Sequence, residues 1–255
     1  MADPITISTT RIPSFDGVQL AVHRLGHGRP VLLLHGLFSS AEMNWVRFGH
    51  AAKLAEAGFE AIMPDLRAHG DSAKPHDPAA YPSGVLARDA AALVEALGLS
   101  DYDLGGFSLG ARTAARAVIG GLRPRRLVLA GMGLEGLAGW SRRSAFFIDA
   151  IDRFDTVKRG DRAFMAVSFM KTMKVDRVAA RLLLHAVDDT QEEELARIAA
   201  PTMVLCGAQD NDNGSAPRLA AALPRARYVE IPGTHMTSVT EEAMGEALVT
   251  FLAEP

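Results

Sequence analysis

The sequence predicts an α/β protein with a mainly parallel, doubly wound sheet of eight strands, an N-terminal antiparallel hairpin and an inserted helical cap. Three observations favour this fold class. Short apolar runs alternate with segments of helical periodicity, glycine-rich turns follow several of these runs, and residues 134–197 lack strand signals. We therefore expect a core formed by residues 1–133 and 198–255, with residues 134–197 inserted as the cap.

The N-terminal region predicts the hairpin at one edge of the sheet. Residues 5–24 alternate between β-forming residues and turn signals, and Asp16-Gly17 separates the two strands. The next run, Val-Leu-Leu-Leu at residues 31–34, is continuously apolar, which is typical of a central parallel strand covered on both faces. That strand leads into the turn at residues 35–38.

The remaining core elements follow a strand-helix rhythm. Glycine closes several of the helices, as Gly58 and Gly98 do, and apolar residues recur at helical spacing between them. Further strands are predicted over residues 59–63, 101–104, 126–130, 201–207 and 227–231, with helices over residues 48–57, from about 83, over 217–223 and from 240. Crossovers of this kind place ligands at the carboxyl ends of parallel strands.

The cap is predicted to be helical and apolar inside. Phe147, Ile151 and Phe154 recur at helical spacing, and similar spacing continues further along the segment. Acids and bases occur there in similar number, which gives no indication of substrate charge. We expect some of its large apolar residues to face a substrate and the others to pack its helices: Trp140, Phe146, Phe147, Phe154, Phe164, Met165, Phe169, Met170 and Met173.

Composition excludes several functional classes. The 255 residues carry a net charge of -3 without a basic block, which disfavours nucleic acid and anionic membranes as partners. Asp3 stands where a secretory signal carries basic residues, and no apolar run approaches the ~18 residues of a membrane span, so we expect a soluble, cytoplasmic protein. The one cysteine, Cys206, lies in an apolar run and is predicted to be a buried strand residue.

The stretch Gly-Gly-Phe-Ser-Leu-Gly at residues 105–110 organises the chain. Ser108 has glycine two positions before and after it, between a predicted strand and a predicted helix. This fits the G-x-S-x-G nucleophile elbow, in which a tight turn holds the serine hydroxyl out of the sheet. Ser108 is therefore the candidate nucleophile.

A serine hydroxyl needs a base to accept its proton and a carboxylate to orient that base. His235 follows the last predicted strand, and Asp210 follows the preceding one, so both lie at the same sheet edge as Ser108. Asp212 remains an alternative to Asp210. The chain order serine, acid, histidine is the one expected of a single hydrolase fold.

The reaction also requires donors for an oxyanion. The backbone N–H of Leu109 is one, because it follows the nucleophile at the start of a helix. The second is expected from the turn after the third strand, where Leu37 is the first choice and Phe38 the alternative. The aspartates at 210 and 212 lack the spacing of an EF-hand, so no metal is predicted. No cofactor is expected either.

With these motifs, the chain resembles the α/β-hydrolase family, and more narrowly its cap-bearing esterases, haloperoxidase-like hydrolases and carbon-carbon bond hydrolases. The resemblance spans nearly the full chain and implies the α/β-hydrolase fold. It departs from the family at Phe107, where many relatives carry histidine, and at Ala68, Ala111 and Thr234, where glycine is common. It depends on five motifs in order: residues 35–38, residues 65–72 (similar to D-x-R-G-x-G-x-S), residues 106–110, residues 207–210 and residues 232–236.

The resemblance implies a carboxylesterase-like serine hydrolase that acts on a small, mainly apolar ester. Ser108 argues against dehalogenases and epoxide hydrolases, which use an aspartate at the elbow. Carbon-carbon, lactone and thioester hydrolysis share the serine chemistry and stay open, as do a ligand receptor and a cofactor-free oxygenase or lyase on the same fold. Substrate contacts are expected from Phe38, Phe107, Trp140 and Phe147, with His35, Asp65 and His69 bracing the neighbouring loops.

Overall fold

The computed structural model describes residues 6–255 and contains one eight-stranded sheet. Its order in space is β1-β2-β4-β3-β5-β6-β7-β8, where the β1/β2 and β2/β4 pairs are antiparallel and the other neighbours are parallel. The strands are β1 (Ser8–Pro13), β2 (Gln19–Gly26), β3 (Arg29–Leu34), β4 (Phe59–Pro64), β5 (Asp103–Phe107), β6 (Leu127–Ala130), β7 (Thr202–Gly207) and β8 (Ala226–Ile231). The predicted hairpin and mainly parallel sheet are confirmed; Asp3, used above in the argument about secretion, lies outside the described residues.

Helices cover both faces of the sheet. Helices α1 and α9 share a core with one face, whereas α2, α3 and α8 pack on the other. No helix within residues 6–255 combines the length and the apolar character needed to cross a membrane. The helices are α1 (His50–Glu56), α2 (Val85–Ala96), α3 (Leu109–Ile119), α4 (Leu134–Ala138), α5 (Trp140–Asp152), α6 (Phe164–Thr172), α7 (Arg177–Ala186), α8 (Ala216–Ala222) and α9 (Glu242–Leu252).

The apolar run in β3 reflects burial on both faces. Val31 and Leu33 pack in the core shared with α1 and α9, whereas Leu32 and Leu34 pack in the core on the opposite face. All four side chains are inaccessible to solvent. Successive strand side chains point to opposite faces, so only a strand covered on both faces requires every position to be apolar.

Two predicted helix boundaries shift because short helical turns precede the helices. A π-helical turn over Glu42–Val46 comes before α1, which begins at His50 instead of residue 48. A 3-10 turn over Ser238–Thr240 comes before α9, which begins at Glu242. Such turns are hydrogen-bonded differently from an α-helix, although their residue composition is similar, and the sequence pattern does not distinguish them.

Helices α4 to α7 and a 3-10 turn over Glu192–Arg197 occupy the chain between β6 and β7, and residues 131–201 contain no strand. Arg112 of α3 ties this segment to the sheet layer. Its buried guanidinium donates hydrogen bonds to the carbonyls of Leu137 and Asp188, at 2.8 and 3.1 Å, and lies over the ring of Trp140. Arg112 thereby fixes the helical segment to α3, the helix that follows Ser108.

Candidate active site

The turn between β5 and α3 holds Ser108 in a strained conformation, with φ 55° and ψ -111°. Its two flanking glycines are required by close backbone approach. A Cβ at Gly106 would lie 2.2 Å from the carbonyl of Gly110, and a Cβ at Gly110 would lie 2.0 Å from the carbonyl oxygen of Leu34. Only glycine allows α3 to start this close to the end of β3.

Ser108, Asp210 and His235 meet at the carboxyl edge of the sheet. His235 lies in the loop after β8, and Asp210 lies in the turn after the adjacent β7. The Nδ1 atom of His235 is 2.8 Å from Asp210 Oδ2, and its Nε2 is 3.0 Å from Ser108 Oγ. With Nδ1–H donating to the carboxylate, Nε2 carries the lone pair that accepts the hydroxyl proton.

The surroundings of Asp210 stabilise its carboxylate in the ionised form. Burial acts to raise its pKa, but the hydrogen bond and charge of His235 outweigh burial and hold that pKa below its usual value. The backbone N–H of Asp212 also donates to this carboxylate at 3.1 Å, and the Cys206 thiol does so at 3.5 Å. Of the two candidate acids, Asp210 therefore contacts the imidazole, whereas the exposed Asp212 contributes its backbone N–H.

Phe107 packs against the imidazole of His235. The two rings are stacked, with centroids 5.0 Å apart and an interplanar angle of 29°. Gly131, with φ 59°, leaves space for both rings, since a Cβ there would lie 2.7 Å from the Phe107 ring and 3.2 Å from His235. Phe107 thus limits the orientations that His235 can adopt.

Hydrogen bonding in the turn after β3 distinguishes between Leu37 and Phe38, the two candidates for the second oxyanion donor. The N–H of Phe38 donates to His69 Nε2 at 2.9 Å, so it is already committed within the protein. Within the described residues, the N–H groups of Leu37 and Leu109 have no hydrogen-bond acceptor. The N–H groups of Leu37 and Leu109 are therefore free to donate to a bound group, which is what an oxyanion hole requires.

His35 and His69 hold this turn as neutral hydrogen-bonding groups. Burial, together with the neighbouring His35, lowers the pKa of His69 to about 3, so its Nε2 lone pair remains available to Phe38. His35 donates from Nδ1 to the Gly36 carbonyl at 2.8 Å and accepts the Leu66 N–H at 2.9 Å. Both histidines connect the turn after β3 to the loop after β4.

That loop, residues 65–72, is fixed by a buried arginine. The guanidinium of Arg67 is inaccessible to solvent and binds the carboxylates of Asp16 and Asp89, as well as the carbonyl of Ala80. Burial keeps the pKa of Asp89 above its usual value although Arg67 opposes that shift. The motif arginine thus stabilises the loop, at a distance from the reacting groups.

The carboxylate of Asp65, in the same loop, accepts the backbone N–H groups of Ala41 and Asp71, at 2.8 and 2.7 Å. Its oxygen lies 3.3 Å from His23 Nε2, and ligand atoms of His23, Asp65 and Asp71 lie within 4.8 Å of one another. This is the one group within residues 6–255 whose donor types suit a metal ion. Its contacts with backbone amides fit the bracing role expected for Asp65.

Two cavities meet at His235. The larger, of about 720 Å³, lies between the turn after β3 and helices α5 and α6, and the smaller has about 100 Å³. Leu37, Phe169, His235 and Met236 line both. The imidazole that contacts Ser108 therefore borders both cavities.

The predicted substrate contacts divide into two groups. Phe38 and Phe147 line the larger cavity, where their rings meet edge to face at 5.4 Å, and Phe107 lines the smaller one. Trp140 lines neither, because its buried indole donates to the Leu184 carbonyl at 3.1 Å. Of the other large apolar residues predicted for the cap, Phe146, Met165 and Phe169 line the larger cavity, whereas Phe154, Phe164, Met170 and Met173 line neither cavity.

Sequence reasoning missed the polar part of the larger cavity. Arg142, Arg143 and Arg162 line it beside the aromatic side chains. A signal for two of them was present, since Arg142 and Arg143 each precede a phenylalanine by four residues, which places each pair on one helix face. Nothing in the sequence shows which face of α5 turns toward the sheet.

A family model described as the alpha/beta hydrolase family matches residues 31–251. The chain belongs to this family. The match covers the sheet from β3 onward, the elbow, the helical segment and the loop that carries His235, and it confirms the resemblance found in the sequence.

This α/β hydrolase is similar to several named proteins and solved structures. It is 26% identical to the AB hydrolase superfamily protein YisY of Bacillus subtilis, over 78% of this chain and 81% of that protein. It is 36% identical to an epoxide hydrolase of Caballeronia sordidicola, but over 44% of this chain and only 32% of that protein. An esterase structure from Exiguobacterium antarcticum superposes with a TM-score of 0.80 at 21% identity, covering 97% of this chain and all of that one. The family match and the named relatives support a hydrolase, and the esterase structure supports the fold.

Proposed function

We propose that this protein is a serine hydrolase that cleaves a carboxylic ester, or a related acyl compound, of a small and mainly apolar molecule through an acyl-enzyme. One observation carries the proposal. The hydroxyl of Ser108 lies 3.0 Å from an imidazole whose other nitrogen lies 2.8 Å from the buried carboxylate of Asp210. A hydroxyl with its own base is suited to attack a carbonyl carbon.

The reaction would proceed in two halves. Ser108 Oγ attacks the carbonyl carbon while His235 Nε2 takes its proton, and Asp210 stabilises the imidazolium that forms. The N–H groups of Leu37 and Leu109 donate to the oxyanion, and His235 then protonates the departing alcohol. Water attacks the acyl-serine by the same proton transfers in reverse, which releases the acid and restores the hydroxyl.

The cavities support a compact substrate. The larger one is lined on one side by aromatic rings, including Phe38 and Phe147, which favour contact with hydrocarbon groups. The smaller one, at about 100 Å³, is suited to a short substituent. Short acyl esters are therefore the first substrates to test.

The test is hydrolysis of short 4-nitrophenyl esters by the wild type, Ser108→Ala and Ser100→Ala. Ser100 is exposed and lies outside both cavities, so its variant is the matched control. We expect Ser108→Ala to lose on the order of 10⁴-fold or more in kcat. A fluorophosphonate should label the wild type and the control at residue 108, as mapped by mass spectrometry.

Other outcomes would identify a different function. Turnover that survives in Ser108→Ala would refute the assigned nucleophile, and a simultaneous requirement for His235 would favour a cofactor-free oxygenase or lyase. Acylation at Ser108 without turnover, accompanied by a ligand-dependent rise in melting temperature, would favour a receptor. Rapid turnover of lactones or thioesters with poor ester turnover would indicate a lactone or thioester hydrolase that uses the same serine mechanism.

A further inference from the structure

The larger cavity carries an excess of positive charge. Arg142 and Arg143, near the start of α5, and Arg162, just before α6, all line it. Among the described residues, the one acidic side chain in its lining is Asp212. Three arginines and one aspartate therefore line the space next to His235; Arg142 and Arg162 are exposed, and Arg143 is half-buried.

These arginines are not paired within the protein. Arg143 donates to the backbone carbonyl of Asp212 and lies 5.8 Å from the ring of Phe147. Arg162 lies 5.5 Å from the ring of Phe146. In the part of the chain that the structure describes, Arg142, Arg143 and Arg162 form no ion pair with a carboxylate within 4 Å.

Three other arginines of the same helical segment, Arg153, Arg177 and Arg181, form ion pairs with nearby aspartates. Arg153 binds the carboxylates of Asp149 and Asp161, at 2.8 and 2.7 Å. Arg181 pairs with Asp152 on the outside of the segment. Among the described residues, five arginines of the segment form no ion pair; three of these line the cavity, and Arg159 and Arg197 do not.

Helix stability does not account for this placement. A positive charge in the first turns of a helix opposes the helix dipole, and Arg142 and Arg143 both lie there in α5. Asp189 already accepts the N–H of Trp140 at this end of the helix. Burial lowers the pKa of Arg143, and the charges of Asp212 and Asp210 only partly oppose that shift. An anion in the cavity would compensate for both effects.

We propose that the substrate carries an anionic oxyacid group, a carboxylate or a phosphate, which binds to Arg142, Arg143 and Arg162 while its acyl carbon lies at Ser108. The inference rests on the proposed function, whose site opens into this cavity through His235. Guanidinium groups donate paired hydrogen bonds to such oxygens, and the neighbouring phenylalanine rings contact the hydrocarbon between the two ends. The substrate class is then an ester with a remote acid group.

The experiment compares anionic esters with neutral counterparts. For the alcohol half, 4-acetoxybenzoate and 4-acetoxyphenyl phosphate are set against methyl 4-acetoxybenzoate. For the acyl half, mono-4-nitrophenyl glutarate is set against 4-nitrophenyl butyrate. Each kcat/KM is divided by the rate of the same ester with hydroxide, which removes intrinsic reactivity. The carboxylate and phosphate arms distinguish the two anions.

We expect the normalised kcat/KM of the wild type to be about tenfold higher for at least one anionic ester than for its neutral counterpart. A charged hydrogen bond contributes about this much. Arg143→Gln should abolish most of that preference, and Arg143→Lys should restore part of it because the charge returns. Arg159→Gln is the control, since Arg159 is exposed and lies outside the cavity. Equal ratios for anionic and neutral esters in the wild type would overturn the proposal, as would a preference that Arg142→Gln, Arg143→Gln and Arg162→Gln all leave intact.

A binding measurement separates this inference from the proposed function. Calorimetric titration of Ser108→Ala with 4-acetoxybenzoate and with methyl 4-acetoxybenzoate reports charge recognition without turnover. Tighter binding of the anion that is lost when Arg143→Gln is added supports the anionic subsite, even if the wild type hydrolyses no ester. Indifference to charge in this titration refutes the subsite, even if the esterase activity is established.

Discussion

Replacing Gly110 by alanine tests the link between the elbow and the turn after β3. The added Cβ would lie 2.0 Å from the carbonyl oxygen of Leu34 and 2.8 Å from that of His35. A carbon normally stays about 3.3 Å or more from such an oxygen, so α3 and the end of β3 must separate by roughly 1.3 Å. Both contacts are backbone atoms, which cannot swing aside as a side chain would.

This displacement would change both stability and activity. The extra atom should cost about 1–3 kcal/mol in free energy of unfolding, as overpacking of a core does. It should also separate the Leu109 N–H, at the start of α3, from the Leu37 N–H beyond β3. Misplacing a catalytic group by about 1 Å costs on the order of 100-fold, so we expect a similar loss in kcat/KM.

The assays are thermal unfolding and 4-nitrophenyl acetate hydrolysis well below the melting temperature, with Gly120→Ala as the matched control. Gly120 ends α3 with φ -72°, and a Cβ there would lie 3.2 Å from the Arg116 carbonyl oxygen, which needs only a few tenths of an ångström of adjustment. The control should remain close to wild type in both assays. If Gly110→Ala keeps wild-type kcat/KM, the activity does not depend on the close packing of the elbow at residues 106–110 against the turn after β3.

Two further substitutions test the acid and the loop. Asp210→Asn should reduce kcat by about 10⁴-fold, because an amide favours the wrong imidazole tautomer. Asp212→Asn should leave the chemical step largely intact. The opposite ranking in single-turnover measurements would make Asp212 the triad acid. Arg67→Met should cost about 3–5 kcal/mol in denaturant unfolding at pH 7, because it leaves the buried carboxylate of Asp89 without its partner. Burial raises the pKa of Asp89, and protonation removes the cost of a buried charge, so this loss should shrink as the pH is lowered. Arg153→Met, at an exposed pair, should cost little, and an equal loss in both variants would contradict the prediction.

The sequence by itself determined the sheet, the elbow and the order of the candidate triad. Each is written in local patterns, such as the continuously apolar residues 31–34 and the glycines on either side of Ser108. Burial on both faces demands the first pattern, and the close approach of α3 to β3 demands the second. The motif at residues 65–72 was also visible, but the partners of its arginine were not.

Only the tertiary structure decided which groups line the two cavities. It committed the Phe38 N–H to His69, placed Asp210 rather than Asp212 against the imidazole, and buried Trp140 away from both cavities. It also turned three arginines of a charge-balanced segment toward the larger cavity. Helical spacing fixes which residues share a face, but the direction of that face depends on packing between elements far apart in the chain.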